Sequence, residues 1–198
     1  MNLPNKLTVF RLILSPLYFI VFFLPVWTGR WEMVSAFVLL VIFLGIEASD
    51  VLDGHIARSR NLVTDIGKVL DPFADVFSRM TYFICFSAVG LMPVWIFVIL
   101  IYRELAITFL RMYMIKKGFV MAASIWGKIK AVFYAFSGII GLATIFTERL
   151  SPSSGALPTL RNISLVIFLI AAFASVASFL TYVRTVVILE RSGGTSKV

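Results

Sequence analysis

The run MTYFICFSAVGLMPVWIFVILIY, Met80–Tyr102, carries no charged residue and is long enough to cross a membrane once. How it is read decides the fold. Gly90 and Pro93 stand in its middle, and a glycine followed closely by a proline marks a turn. The run therefore divides into the end of one helix, over roughly 70–90, and the start of another, over roughly 93–115. Charge supports the division. With two helices between them, segments 54–68 and 116–130 fall on the same membrane face, together with both termini. That face then holds 12 of the 18 basic residues, while the other keeps Arg30, Arg149 and Arg161. A single helix would put the two basic segments on opposite sides. The bias of Lys and Arg toward the inner side places the rich face in the cytoplasm.

Working outward, uncharged runs also occupy 12–29, 33–46, 131–147 and 162–183. The chain has 198 residues and is 60% hydrophobic, against ~45–50% in soluble domains. In lipid every backbone group must be bonded internally, and long apolar runs without strand-type alternation form helices rather than a barrel. The expected fold is all-α: a multi-pass bundle of six transmembrane helices near 8–27, 33–54, 70–90, 93–115, 127–147 and 162–188, forming a single domain over 1–198. Met1–Lys6 is too short for the charged start of a cleaved signal peptide, so the first run is read as a retained helix. Cys85 has no partner cysteine, which excludes a disulfide within the chain. The net charge of +8 does not call for nucleic acid, because basic residues beside apolar helices meet anionic membrane lipids.

Against this background the stretch SDVLDGHIARSRNLVTDIGKVLDPFAD, Ser49–Asp75, gathers five of the ten acidic residues. Asp50 and Asp53 are three apart and Asp71 and Asp75 four apart, so each pair shares a helix face. A loop over 54–68 would bring the two helices together antiparallel and converge four carboxylates at one end of the bundle. Such charges repel unless something positive holds them. Two explanations are open on spacing alone: nearby arginines (Arg58, Arg79, Arg103), or divalent cations. An all-oxygen donor set favours Mg²⁺ or Mn²⁺ over zinc. The neighbours favour ions. Gly54, Ala57 and Gly67 leave room for a ligand, and Arg58 can fork onto a phosphate. Together these residues describe a pocket for a diphosphate chelated by two cations.

The pattern Asp50-x2-Asp53-Gly54-x2-Ala57-Arg58-x8-Gly67-x3-Asp71-x3-Asp75 resembles, position for position, the motif of the CDP-alcohol phosphotransferases. NLPNKLTVFRLILSP near the start and YRELAITFLRMYMIKKGFVMAASIWGKIKA from Tyr102 are similar to the phosphatidylglycerophosphate synthase branch, with departures at Val76 and Ala131. The resemblance implies a six-helix homodimer in the cell (inner) membrane, with a cytoplasmic site holding two Mg²⁺ or Mn²⁺ ions. It implies transfer of a phosphatidyl group from CDP-diacylglycerol to sn-glycerol 3-phosphate, giving phosphatidylglycerophosphate and CMP. Asp50, Asp53 and Asp71 are then metal ligands, and Asp75 is the general base and a shared ligand. Gly54, Ala57, Arg58, Thr64 and Gly67 line the CDP-lipid, with Asn5 and Thr8 closing over it. Other acceptors of the family, such as inositol phosphate, serine or choline, are the alternative.

The residues of the second stretch point to an anionic acceptor on their own. Arg103, Glu104 and Arg111 lie within a membrane helix, where charges are expensive and usually functional. Arg103, Arg111 and Lys128 are the candidate acceptor-binding cations, and Glu104 is expected to pair with an arginine and orient it. Lys116, Lys117 and Lys130 are assigned to lipid headgroups. A divalent-cation transporter is the reading from another class, but it calls for acids near mid-bilayer and matching halves. This chain has its acids at one level and no internal repeat.

Overall fold

The protein is described by a computed structural model covering residues 2–59, 65–117 and 125–191. Six helices follow one another: α1 (Leu3–Thr28), α2 (Glu32–Ser59), α3 (Asp65–Ala88), α4 (Val94–Lys116), α5 (Ile125–Leu150) and α6 (Leu157–Arg191). Among the described residues there is no strand. The division of the long apolar run holds. Gly90 sits at φ +74°, in the left-handed region that glycine occupies without steric cost. The backbone N–H groups of Leu91 and Met92 both return to Phe86 O, closing α3 before Pro93 opens α4.

One boundary differs from expectation. The loop foreseen over 54–68 is shorter, because α2 continues to Ser59 and α3 begins at Asp65. Both aspartate pairs therefore sit inside helices.

α1 packs on α2 and α3, α5 on α6 and α2, and α4 on α6, with α3 bridging to α4 and α5. Four helices are long and apolar enough to cross a membrane: α1, α2, α5 and α6. At ~1.5 Å per residue α3 and α4 are long enough too, but charged side chains interrupt them. These are Asp71, Asp75 and Arg79 on α3, and Arg103, Glu104 and Arg111 on α4. The helices are apolar outward and mixed inward: Leu105, Phe109 and Met112 of α4 are exposed, while Arg103 and Glu104 are buried. That arrangement suits a helix bundle bathed in hydrocarbon.

Aromatic rings fill the core. Tyr18, Phe22, Tyr82, Phe83, Phe86, Tyr134 and Phe168 are fully buried. Small residues of α5 let α3 approach closely, as is usual between membrane helices. A side chain at Gly141 would run into the Phe86 ring, and one at Gly138 would press on Phe43 and Tyr82. Polar pairs also join α5 to α6, with Thr144 and Ser164 oxygens 2.9 Å apart. Because the Phe86 ring is enclosed, Gly141→Val should cost about 1–3 kcal/mol by overpacking. A thermal melt of purified protein checks this, with a drop of a few degrees expected and an unchanged midpoint counting against close α3–α5 packing.

Candidate functional site

Antiparallel order brings the beginnings of α1, α3 and α5 to one end, together with the ends of α2, α4 and α6. The charged interior lies at that end. On α1, Asn5, Thr8, Arg11 and Ser15 are all buried. Their spacing of three or four places them on one helix face.

Arg11 is the centre of the cluster. It is 1% exposed, and its Nη1 donates to Asp50 Oδ1 and to Asp75 Oδ1, the latter at 2.5 Å. Its Nη2 donates to Asp53 Oδ2 at 3.2 Å. Thr8 Oγ1 lies 2.7 Å from Asp71 Oδ1 and 3.3 Å from Asp53 Oδ2. A hydroxyl has one proton, so it serves these acceptors in turn. Arg79 Nη2 stands 3.6 Å from Asp50 Oδ2. All four motif aspartates thus meet within one network spanning α1, α2 and α3.

Three of the basic residues stand elsewhere than expected. Arg103 does not neutralise the aspartates: its Nη1 donates to Glu104 Oε1 at 2.9 Å and its Nη2 to Ser178 Oγ at 2.7 Å. Lys130 does not reach lipid headgroups either. It is 8% exposed, and its ammonium donates to Glu104 Oε1 at 2.6 Å. A lysine at the end of the basic segment 116–130 looks like a headgroup contact, but the inward face of α5 carries it to Glu104. Lys117 pairs with Glu190 at 2.7 Å instead. That ammonium, with the Tyr113 hydroxyl, holds the exposed Glu190 carboxyl below its usual range.

Arg11 is the member of this network that the linear sequence hides. It stands 39 residues from Asp50, alone among apolar neighbours. The signal that points to it is the polar stripe Asn5, Thr8, Arg11, Ser15 in an otherwise oily helix. Of the residues assigned to the CDP-lipid, Thr8 belongs to this network, and Asn5 and Gly67 are buried. Gly54, Ala57 and Arg58 belong to α2, but their side chains lie outside the described residues, and Thr64 lies outside entirely.

The donor set fits a hard divalent ion in chemistry: carboxylate oxygens, with no nitrogen or sulfur ligand. Among the described residues no three acids stand close enough to hold an ion as they are. The Arg11 guanidinium lies between Asp50, Asp53 and Asp75, and it is far larger than Mg²⁺, which needs oxygens at ~2.0–2.1 Å. Its charge stands in for that of a cation. For the carboxylates to close around an ion, the guanidinium would have to yield.

Beside the cluster opens a cavity of about 260 Å³. Its walls include Asp75 and Arg79 from α3, Arg103, Glu104, Thr108 and Arg111 from α4, Lys128, Lys130 and Tyr134 from α5, and Tyr182 from α6. The three candidate acceptor cations, Arg103, Arg111 and Lys128, therefore line one space. Arg111 Nη2 donates to the Tyr182 hydroxyl at 2.9 Å and its guanidinium lies 5.4 Å from that ring centre. Arg103 Nε and Arg111 Nε are buried donors with no partner among the described residues. Unpaired buried donors are costly, and here they belong to residues facing a cavity.

Removing Arg11 leaves three carboxylates mutually exposed. Breaking a buried ion pair typically costs about 3–5 kcal/mol. For a chain of this size that is on the order of 10 °C in Tm. Arg11→Ala should therefore melt well below wild type in EDTA, and millimolar Mg²⁺ should raise the variant's Tm more than the wild type's. Equal responses to Mg²⁺ would mean that Arg11 and an ion do not share the site.

Comparison with known proteins identifies the family. The bacterial protein of Bacillus subtilis (strain 168) named CDP-diacylglycerol--glycerol-3-phosphate 3-phosphatidyltransferase is 38% identical over 155 residues, covering 75% of this chain and 78% of that protein. Proteins of the same name from Treponema pallidum (strain Nichols) and Aquifex aeolicus (strain VF5) are 29% and 36% identical. The first of these covers 93% of this chain and 89% of its own length, the second 74% and 79%. The sequence profile of the CDP-alcohol phosphatidyltransferases matches residues 1–189, and the chain belongs to that family.

Proposed function

We infer that the chain transfers the phosphatidyl group of CDP-diacylglycerol to sn-glycerol 3-phosphate, giving phosphatidylglycerophosphate and CMP. Family membership and the relatives' names support the reaction. The observation that carries the acceptor is that Asp75 and Arg79 belong to two places at once. Both touch the carboxylate network, and both line the cavity with Arg103, Arg111, Lys128 and Lys130. A diphosphate at the carboxylates and an anionic acceptor in the cavity would meet at Asp75.

Asp50, Asp53, Asp71 and Asp75 would hold two Mg²⁺ or Mn²⁺ ions, which when bound offset the charge of the diphosphate and of the departing CMP. Arg58, Gly54, Ala57, Thr64 and Gly67 line the CDP side, with Asn5 at its edge. Thr8 orients Asp53 and Asp71. In the cavity, Arg111 and Lys128 hold the acceptor's phosphate by charge-assisted bonds, with Arg103 behind them. The acceptor's primary hydroxyl then faces Asp75. Its oxygen bonds to the phosphatidyl phosphorus, the bond from that phosphorus to the CMP oxygen breaks, and the hydroxyl proton passes to Asp75. The lipid tails stay in the bilayer while the headgroup reacts at the helix ends. We place that end, with both termini, in the cytoplasm, and propose a homodimer in the cell membrane. A cation transporter finds no support, since the aspartates gather at one end of the bundle.

Purified protein given CDP-diacylglycerol, Mg²⁺ and a panel of acceptors tests this. CMP release should require sn-glycerol 3-phosphate and stop in EDTA; release with inositol phosphate, serine or choline instead would overturn the acceptor. In the same assay Asp75→Asn should lower kcat by roughly 10²–10⁴. Arg111→Ala removes a charge-assisted contact of about 1.5–3 kcal/mol, so KM for glycerol 3-phosphate should rise roughly tenfold or more.

A further inference from the structure

In the cationic wall of the cavity stands a carboxylate to which the transfer reaction assigns no step. Glu104 is 6% exposed, and its Oε1 alone accepts three hydrogen bonds. They come from Arg103 Nη1 at 2.9 Å, Lys130 Nζ at 2.6 Å and the Tyr134 hydroxyl at 3.0 Å. Arg103 continues to Ser178 at 2.7 Å, and the Tyr134 oxygen lies 3.0 Å from Ser175 Oγ. One oxygen thus ties α4 to α5, and its partners tie both to α6.

A buried charge network is a poor way to join three helices, because apolar side chains of similar volume usually do as well or better. What Glu104 supplies that an apolar residue cannot is placement of cations. Lys130 has a flexible four-carbon stem, and its ammonium is a point charge with no preferred direction. Without an anchor it would turn away from the neighbouring arginines. Arg103 is rigid only at its guanidinium plane. With Nη1 and Nη2 engaged by Glu104 and Ser178, its buried Nε–H is left without a partner among the described residues, on a residue that lines the cavity. The cavity wall holds five basic residues against two acidic ones, Asp75 and Glu104. Glu104 engages two of those five.

We propose that Glu104 is a positioning residue for the acceptor: it fixes Arg103 and Lys130 on the cavity wall in the arrangement that a phosphate monoester requires. This rests on the acceptor being phosphorylated. Losing Glu104 has two opposed effects on an anion. One negative charge fewer strengthens attraction, and two cations set loose weaken directed binding. Because both cations are buried and hydrogen-bonded through the same oxygen, loss of direction outweighs gain of charge.

The test compares wild type, Glu104→Gln, Glu104→Asp and Tyr134→Phe. Steady-state KM is measured for both substrates, and binding of glycerol 3-phosphate without turnover is measured by calorimetry. Glu104→Gln should raise KM and Kd for glycerol 3-phosphate at least tenfold, with KM for CDP-diacylglycerol within twofold of wild type. Glu104→Asp keeps the charge but is one methylene shorter, so it should show an intermediate, several-fold rise. If charge balance alone mattered, Glu104→Asp would match wild type and Glu104→Gln would bind the acceptor more tightly, which overturns the proposal. A parallel rise in both KM values with a lower Tm makes Glu104 a structural tie only and also overturns it. Should Glu104→Gln fail to fold, Glu104→Asp and Tyr134→Phe decide: a selective rise in acceptor KM supports positioning, and wild-type values in both refute it. Wild-type protein that neither binds nor uses glycerol 3-phosphate removes the phosphorylated acceptor itself, whereas wild-type use with unaffected variants removes only the role of Glu104.

Discussion

Four carboxylates at one end of an apolar bundle cannot stand without positive charge among them, and this constraint shapes everything near the site. In the structure the charge is the Arg11 guanidinium, held between Asp50, Asp53 and Asp75. Unpaired, such groups would repel strongly where little water reaches to screen them. The first helix is drawn into the cluster for this reason. Its polar stripe faces α2 and α3, while Leu3, Phe10, Ile13 and Leu17 remain exposed toward the surroundings. A group that provides charge without geometry is replaceable, and the proposed ions would have to displace this arginine.

The second half of the site follows from the same economy of charge in a membrane. α3 and α4 carry polar side chains that lipid would penalise, so these face inward and pair. Glu104 collects Arg103, Lys130 and Tyr134 on α4 and α5. Asp75 and Arg79 connect that group to the aspartates. The outcome is a continuous charged interior at one end and a dry aromatic core toward the other. Chemistry on a lipid headgroup requires that separation, because the phosphates need water and the acyl chains need hydrocarbon.

Much of this was legible in the chain. Gly90 and Pro93 announce a turn as a pair, since one permits a positive φ and the other lacks the N–H of a helical bond, whereas Pro16, Pro25 and Pro72, without such a glycine beside them, lie within α1 and α3. The aspartates are legible because spacings of three and four fix a shared face once the segment is helical. Arg103 and Arg111 are legible as charges inside a membrane helix, where they are expensive and face inward. Arg11 and Lys130 were not, because a lone basic residue near a helix end is equally well explained by topology. Their roles depend on tertiary register, with Arg11 meeting Asp75 across 64 positions and Lys130 meeting Glu104 across 26. The extent of α2 past Gly54 was hidden too, since glycine weakens a helical reading that packing overrides.

The central claim is that the four aspartates form one cation site that Arg11 guards. Electron paramagnetic resonance of purified protein titrated with Mn²⁺ tests it most directly, because bound and free ions are distinguished without turnover. Two Mn²⁺ per chain, magnetically coupled in wild type and lost together in an Asp50→Asn, Asp53→Asn double variant, are the predicted result. A bound-ion count that is unchanged by that double substitution, or no bound Mn²⁺ in the wild type at millimolar concentration, would contradict it.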